Sequence, residues 1–84
     1  MAKGVIRYWA AAKTAAGVAE ESYEAATLAE ALTNAQRARD AEFGRVVSRS
    51  SFLINGDPVG IRAHEDLELA ENATIEVLPP FAGG

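Results

Sequence analysis

Gly83 and Gly84 end the sequence, directly after Leu78-Pro79-Pro80-Phe81-Ala82. This ending is expected to place a terminal carboxylate at the tip of a thin tail, where it would be the group best placed to do chemistry. Two prolines fix φ, remove two amide donors and favour an extended, polyproline-like path, so the tail is expected to stand away from the domain. Without β-carbons, Gly83 and Gly84 let a narrow channel in a partner close around the backbone while φ and ψ adapt. A side chain at either position is expected to obstruct that passage. Four extended residues from Phe81 reach about 13–14 Å, enough to pass from a domain surface into a neighbouring protein's pocket. The chemistry available is acyl transfer: a carboxylate is a poor electrophile until phosphoanhydride activation gives it a good leaving group. Gly84 is then the substrate end and not a catalyst. Phe81 can fold back on the domain or anchor in a partner groove. Pro80, Phe81, Ala82 and Gly83 are the candidate partner-binding stretch. The competing reading of the two glycines is a frayed terminus or a truncation scar.

The other reactive residue types form no convincing constellation. There are no cysteines, which removes disulfides, thiolate metal sites and cysteine nucleophiles together, so any sulfur handled here comes from elsewhere. His64, the only histidine, sits among Glu65, Asp66 and Glu68; with no second histidine at ligand spacing, a solvated loop is expected and no metal. Ser48, Ser50 and Ser51 lack a base, so no hydrolytic triad is expected and the domain should be catalytically inert.

Eighty-four residues allow one small core, and 49% hydrophobic with 24% charged residues is an ordinary globular composition. A net charge of −4 disfavours a nucleic-acid partner, which would need clustered Lys and Arg. Arg7 and Lys13 interrupt the alanine-rich start, leaving its apolar run too short for a signal segment. No membrane association and a cytoplasmic location are the expectations.

Something must hold the tail. Val5 to Ala10 is β-branched and aromatic with an internal charge, predicting a first strand at about residues 3–10. A helical turn at 11–16 is expected to stop at Gly17. Glu20 to Glu24 then reads as an edge strand whose exposed charges discourage association. Thr27-Leu28-Ala29-Glu30 is a capping box, with the Thr27 oxygen accepting from the Glu30 amide and the Glu30 carboxylate reaching back to the Thr27 amide. Leu28, Ala31, Leu32, Ala35 and Ala38 give the following helix an apolar stripe. Asp40 is a cap for a second short helix in which Phe43, Val46 and Val47 share a face, ending near Ser48. Ser51 to Ile54 reads as a buried strand. Asn55-Gly56 makes a hairpin turn, with Val59-Gly60-Ile61 as the return strand. A polar loop with a short helical turn and Asn72 in a left-handed position leads to a last strand, Thr74 to Leu78. These elements predict an α+β domain, a mixed sheet of about four to five strands with one main helix packed across it. If first and last strands are neighbours, a right-handed crossover joins them.

The order of elements, together with Leu78-Pro79-Pro80-Phe81-Ala82-Gly83-Gly84, resembles the ubiquitin-like sulfur carriers of the β-grasp fold. The resemblance extends over Val5 to Lys13, Ala15-Ala16-Gly17 and Phe52-Leu53-Ile54-Asn55-Gly56, and is greatest to the small subunit of molybdopterin synthase. Ala70-Glu71-Asn72-Ala73 departs from it, because the family usually reads Gly-Asp before the last strand; Asn72 can take the glycine's conformation. The resemblance implies a β-grasp domain over 1–80 and a flexible tail over 81–84. It further implies that an ATP-dependent adenylating enzyme of the ubiquitin-activating type joins the Gly84 carboxylate to AMP. Sulfur from a persulfide donor then leaves a thiocarboxylate, which the large subunit of molybdopterin synthase uses on cyclic pyranopterin monophosphate to build the dithiolene. No bound cofactor is implied, only covalent AMP and thiocarboxylate as transient states. A carrier for thiazole or cysteine biosynthesis would form the same thiocarboxylate, and a ubiquitin-like protein modifier would instead join Gly84 to lysines.

Overall fold

The computed structural model describes residues 1–80. In chain order the elements are β1 (Ala2–Tyr8), α1 (Ala10–Ala16), β2 (Glu20–Ala25), α2 (Leu28–Arg37), α3 (Ala41–Ser48), β3 (Ser51–Ile54), β4 (Asp57–Pro58), a 3-10 turn (His64–Asp66) and β5 (Thr74–Leu78). The sheet runs β2-β1-β5-β3-β4, with β1 and β5 parallel and every other neighbouring pair antiparallel. First and last strands therefore lie side by side at the centre, as the resemblance requires of a β-grasp domain.

Strand alternation separates two faces. Ile6, Tyr8, Ile75, Val77 and Phe52 turn inward, where they meet Leu28, Ala31, Ala35 and Phe43 from the helices in one core. Arg7, Leu53 and Glu76 share the opposite face, in register across the three central strands. The inner face is driven by apolar burial and the outer face is left for solvent or partners.

The helices start where side chains can satisfy their free amides. Thr27 Oγ1 accepts from the Glu30 amide at 3.2 Å, and Asp40 Oδ1 accepts from the Phe43 amide at 3.2 Å. Glu30 closes its half of the box one residue earlier than expected, accepting from the Ala26 amide at 2.7 Å instead of that of Thr27. Ala38 is exposed at the end of α2 and lies off the buried stripe.

Three further local expectations change. The chain turns away after Tyr8 because Ala10 begins α1, a seven-residue helix closed by Gly17 at φ 82°. The return strand of the hairpin is Asp57–Pro58 and not 59–61. Asn55 and Gly56, at φ 51° and 85°, make a two-residue turn, so pairing begins at once with Ile54 opposite Asp57. Pro58 offers no donor and Gly60, at φ 63°, turns the chain off the sheet, leaving Ile61 fully exposed. His64 is half-buried, its ring edge-on to Phe52 with centroids 5.0 Å apart, so its loop is packed and not simply solvated. Asn72 takes the expected left-handed conformation at φ 65°, and its amide donates to the Lys3 carbonyl at 2.7 Å.

Glu21 differs from the other charges of β2. Glu20, Ser22 and Glu24 are exposed, but Glu21 points to the helical side. There it accepts the Tyr8 hydroxyl and pairs with Arg39 at 2.8 Å. Arg39 also donates to the Ala16 and Ala35 carbonyls at 3.1 and 3.0 Å, tying the ends of α1 and α2 to the sheet, and its guanidinium lies over the Tyr8 and Phe43 rings. Burial, then the hydrogen bond and negative charge of Glu21, push the Tyr8 phenol well above its ordinary value of 10.0, with Arg39 opposing. A raised phenol in the folded state contributes stability that is intact below pH 10 and lost as pH rises beyond it, because the unfolded chain ionises first. Urea melts between pH 8 and 11 should therefore fall less steeply for Tyr8→Phe than for the wild type. Equal slopes would remove Tyr8 as the cause.

Candidate functional site: the root of the C-terminal tail

β5 delivers the tail. Ile75 and Val77 are fully buried and Pro79 continues the same alternation inward, while Pro80 is exposed. The last ladder pair is Ser51 with Leu78. Beyond it the two prolines have no amide to donate, so the sheet cannot extend and the chain leaves it. Pro79 thus pins the root by its side chain just where the backbone ladder stops.

The surroundings of the root come from the elements that follow β1. Because β1 and β5 are parallel, Trp9 and α1 emerge at the same end of the sheet as Pro79. The Trp9 amide donates to the Val77 carbonyl at 3.2 Å and its indole to Glu76 Oε1 at 3.1 Å, leaving the ring 45% exposed beside the tail's strand. On the other side, Ala11 of α1 and Val46 of α3 form with Pro79 and Pro80 a groove of about 170 Å³, flanked by Glu42, Arg45 and Arg49. Arg45 pairs with Glu42 at 2.6 Å.

Of the candidate residues, Pro80 stands exposed at the exit. Phe81, Ala82, Gly83 and Gly84 lie outside the described residues. Ser48 and Ser50 donate to the Arg45 and Val46 carbonyls, both at 2.8 Å, which occupies them in helix-end hydrogen bonds. Among the described residues there is no cluster of three or more His, Cys, Asp or Glu able to hold a metal, and no helix is long and apolar enough to cross a membrane. Asn55 Oδ1 accepts from the Thr74 amide at 2.9 Å, which ties the hairpin turn to the start of β5. Trp9, Glu76 and the helical residues of the groove were not found by sequence reasoning. Only the parallel pairing of β1 with β5 brings them to the tail, and no local pattern encodes that pairing.

A five-stranded mixed sheet with its C-terminal strand at the centre, helices on one face and a proline-led exit defines a ubiquitin-like β-grasp protein. Solved structures agree. The small archaeal modifier protein 1 of Methanosarcina acetivorans superposes with a TM-score of 0.79 at 25% identity, covering 100% of this chain and 98% of that one. A Pyrococcus furiosus protein described as a molybdopterin converting factor, subunit 1, gives 0.79 at 23% identity over 96% and 100%. The small archaeal modifier protein 1 of Haloferax volcanii gives 0.80 at 22% identity over 98% and 99%. No curated protein matches in sequence. The ThiS family model matches residues 6–84, and the chain belongs to that family of ubiquitin-like sulfur carriers.

Proposed function

We propose that this chain is the sulfur-carrying small subunit of a molybdopterin synthase. Its Gly84 carboxylate attacks the α-phosphorus of ATP in an adenylating enzyme, pyrophosphate leaves, and an acyl-adenylate remains. A persulfide sulfur attacks the activated carbonyl and AMP departs; cleavage of the S–S bond by a thiol of the donor system then leaves the thiocarboxylate. A large synthase subunit receives the loaded tail, and the sulfur goes to cyclic pyranopterin monophosphate. The chain supplies no catalytic side chain in this scheme. It acts as a substrate arm of a sulfurtransferase, in the cytoplasm.

The observation that carries this reading is the central strand β5, pinned at Pro79 and released at Pro80, with two residues between it and the two glycines, within a ThiS-family chain. The open face around Leu53 and Leu78, with half-exposed Trp9, supports docking of a partner beside the exit. The test is intact-mass measurement after incubation with ATP, an adenylating enzyme and a persulfide donor. A product heavier by one oxygen-to-sulfur exchange is expected, together with co-purification of a large synthase subunit from cells. Loading without that subunit would move the client to thiazole or cysteine biosynthesis. Absence of any loaded product would remove the carrier role.

Similarity along the full length to small archaeal modifier proteins favours one other reading, attachment of Gly84 to lysines of other proteins. Stable higher-mass adducts in cells that survive thiol treatment would support it in place of the synthase role.

A further inference from the structure

The groove between α1 and α3 begins at the tail's own root. Its floor is apolar, from Ala11, Val46 and Pro79, and Pro80 forms its rim, so the residue that follows Pro80 starts at the groove's mouth. The four residues that remain, Phe81 to Gly84, hold one large apolar side chain and, on the carrier reading, one terminal carboxylate. The walls match that pair. Arg45 and Arg49 lie four apart on α3 and at its end, on the side that faces the groove. Arg45 is engaged by Glu42, whereas Arg49 pairs with no carboxylate among the described residues. Four residues reach about 13–14 Å when extended.

We propose that this groove seats the chain's own tail, with Phe81 against Ala11 and Val46 and the terminal carboxylate on Arg49. The anchoring by Phe81 stands alone; the carboxylate contact rests on Gly84 ending the chain, as in the carrier reading. Such a seat can be weak and still be filled, because a tethered segment meets it at millimolar effective concentration. Seating shields the tip from stray nucleophiles and proteases and lowers the fraction of tail free for an activating enzyme. A partner's apparent affinity falls by that same fraction.

The experiment uses the full-length, methyl-labelled chain. In Phe81→Ala, loss of the aromatic ring should shift the Ala11 and Val46 methyl resonances. In Arg49→Gln, the terminal carboxylate should titrate at higher pH than in the wild type. Unmoved methyl signals in Phe81→Ala overturn the proposal. Shifts that vanish on dilution also overturn it, because they assign the seat to a second copy. Ala11→Glu, at an exposed helical position, fills the groove with like charge and should raise the rate of adenylate formation roughly two- to five-fold. An unchanged rate counts against storage of the tail. If no adenylate forms in any variant, the carrier reading fails, and the methyl shifts still decide whether the tail is seated.

Discussion

One additional residue after Gly84 is expected to stop sulfur loading, lowering the rate of acyl-adenylate formation by about a hundredfold or more. The added residue moves the carboxylate along the channel by about 3.3–3.6 Å. Attack on the α-phosphorus requires reacting atoms about 3–3.5 Å apart and in line, so a displacement of that size takes the nucleophile out of range. The domain cannot compensate by sliding. Pro79 is buried and the ladder to β3 ends at Leu78, so the tail's starting point is fixed relative to any docked partner. Replacing Gly84 by Val keeps the length and instead puts a branched side chain where the channel grips the backbone, with a comparable loss expected. Both variants should melt like the wild type, since neither change touches the core. Intact-mass kinetics provide the measurement, in the absence of any protease able to trim the extension. Normal loading of the extended chain would end the case for Gly84 as the reactive terminus.

The largest effect on stability is expected at Gly4, where Gly4→Ala should cost about 3 kcal/mol and lower Tm by roughly 10–20 °C. A β-carbon on Gly4 would overlap the Ala73 carbonyl oxygen and the phenol end of Tyr23. That carbonyl is a shared acceptor: it takes the Val5 amide at 3.2 Å and the buried Tyr23 hydroxyl at 2.9 Å. Relief of the overlap must move backbone and not merely a flexible side-chain tip, so the new methyl strains the packing and weakens two hydrogen bonds at once. Tyr23→Phe separates the two contributions, because it removes the hydroxyl contact alone and should cost only about 1 kcal/mol. Chemical denaturation of the three proteins decides the matter. A Gly4→Ala protein within about 0.5 kcal/mol of the wild type would show that the carbonyl moves aside freely.

The features legible in the sequence were those set by near neighbours in the chain. Thr27 and Asp40 cap their helices as their residue types require, Asn55-Gly56 makes its tight turn, and β5 spans Thr74–Leu78 as its alternation predicts. The β-grasp arrangement follows from the order of elements and the proline-glycine ending, and the sheet has its first and last strands side by side and parallel. Long-range chemistry was not legible. Glu21 reads as one more charge on an edge strand, and only the registry of β2 against β1 turns it inward to Tyr8 and Arg39. The return strand is shorter than the hairpin pattern predicts for a related reason: Val59 is buried and its amide still donates to the Phe52 carbonyl at 3.0 Å, but Gly60 turns the chain off the sheet directly after it. Gly4 gave a weak signal, a glycine inside a strand that marks a close backbone approach. Which atom approaches it is decided across 69 positions of sequence, by Ala73.

Placing the tail on β5, and not on an edge strand, determines how the domain responds to force. A partner that draws the terminus into its channel pulls along β5, and that strand is held on one side by β1 and on the other by β3. A load applied this way runs parallel to the strands, so the flanking hydrogen bonds must yield together in shear. An edge strand peeled from its end would instead give way one bond at a time. On the proposed carrier role, a domain drawn by its tip into one enzyme, released, and drawn into the next would therefore not be unravelled.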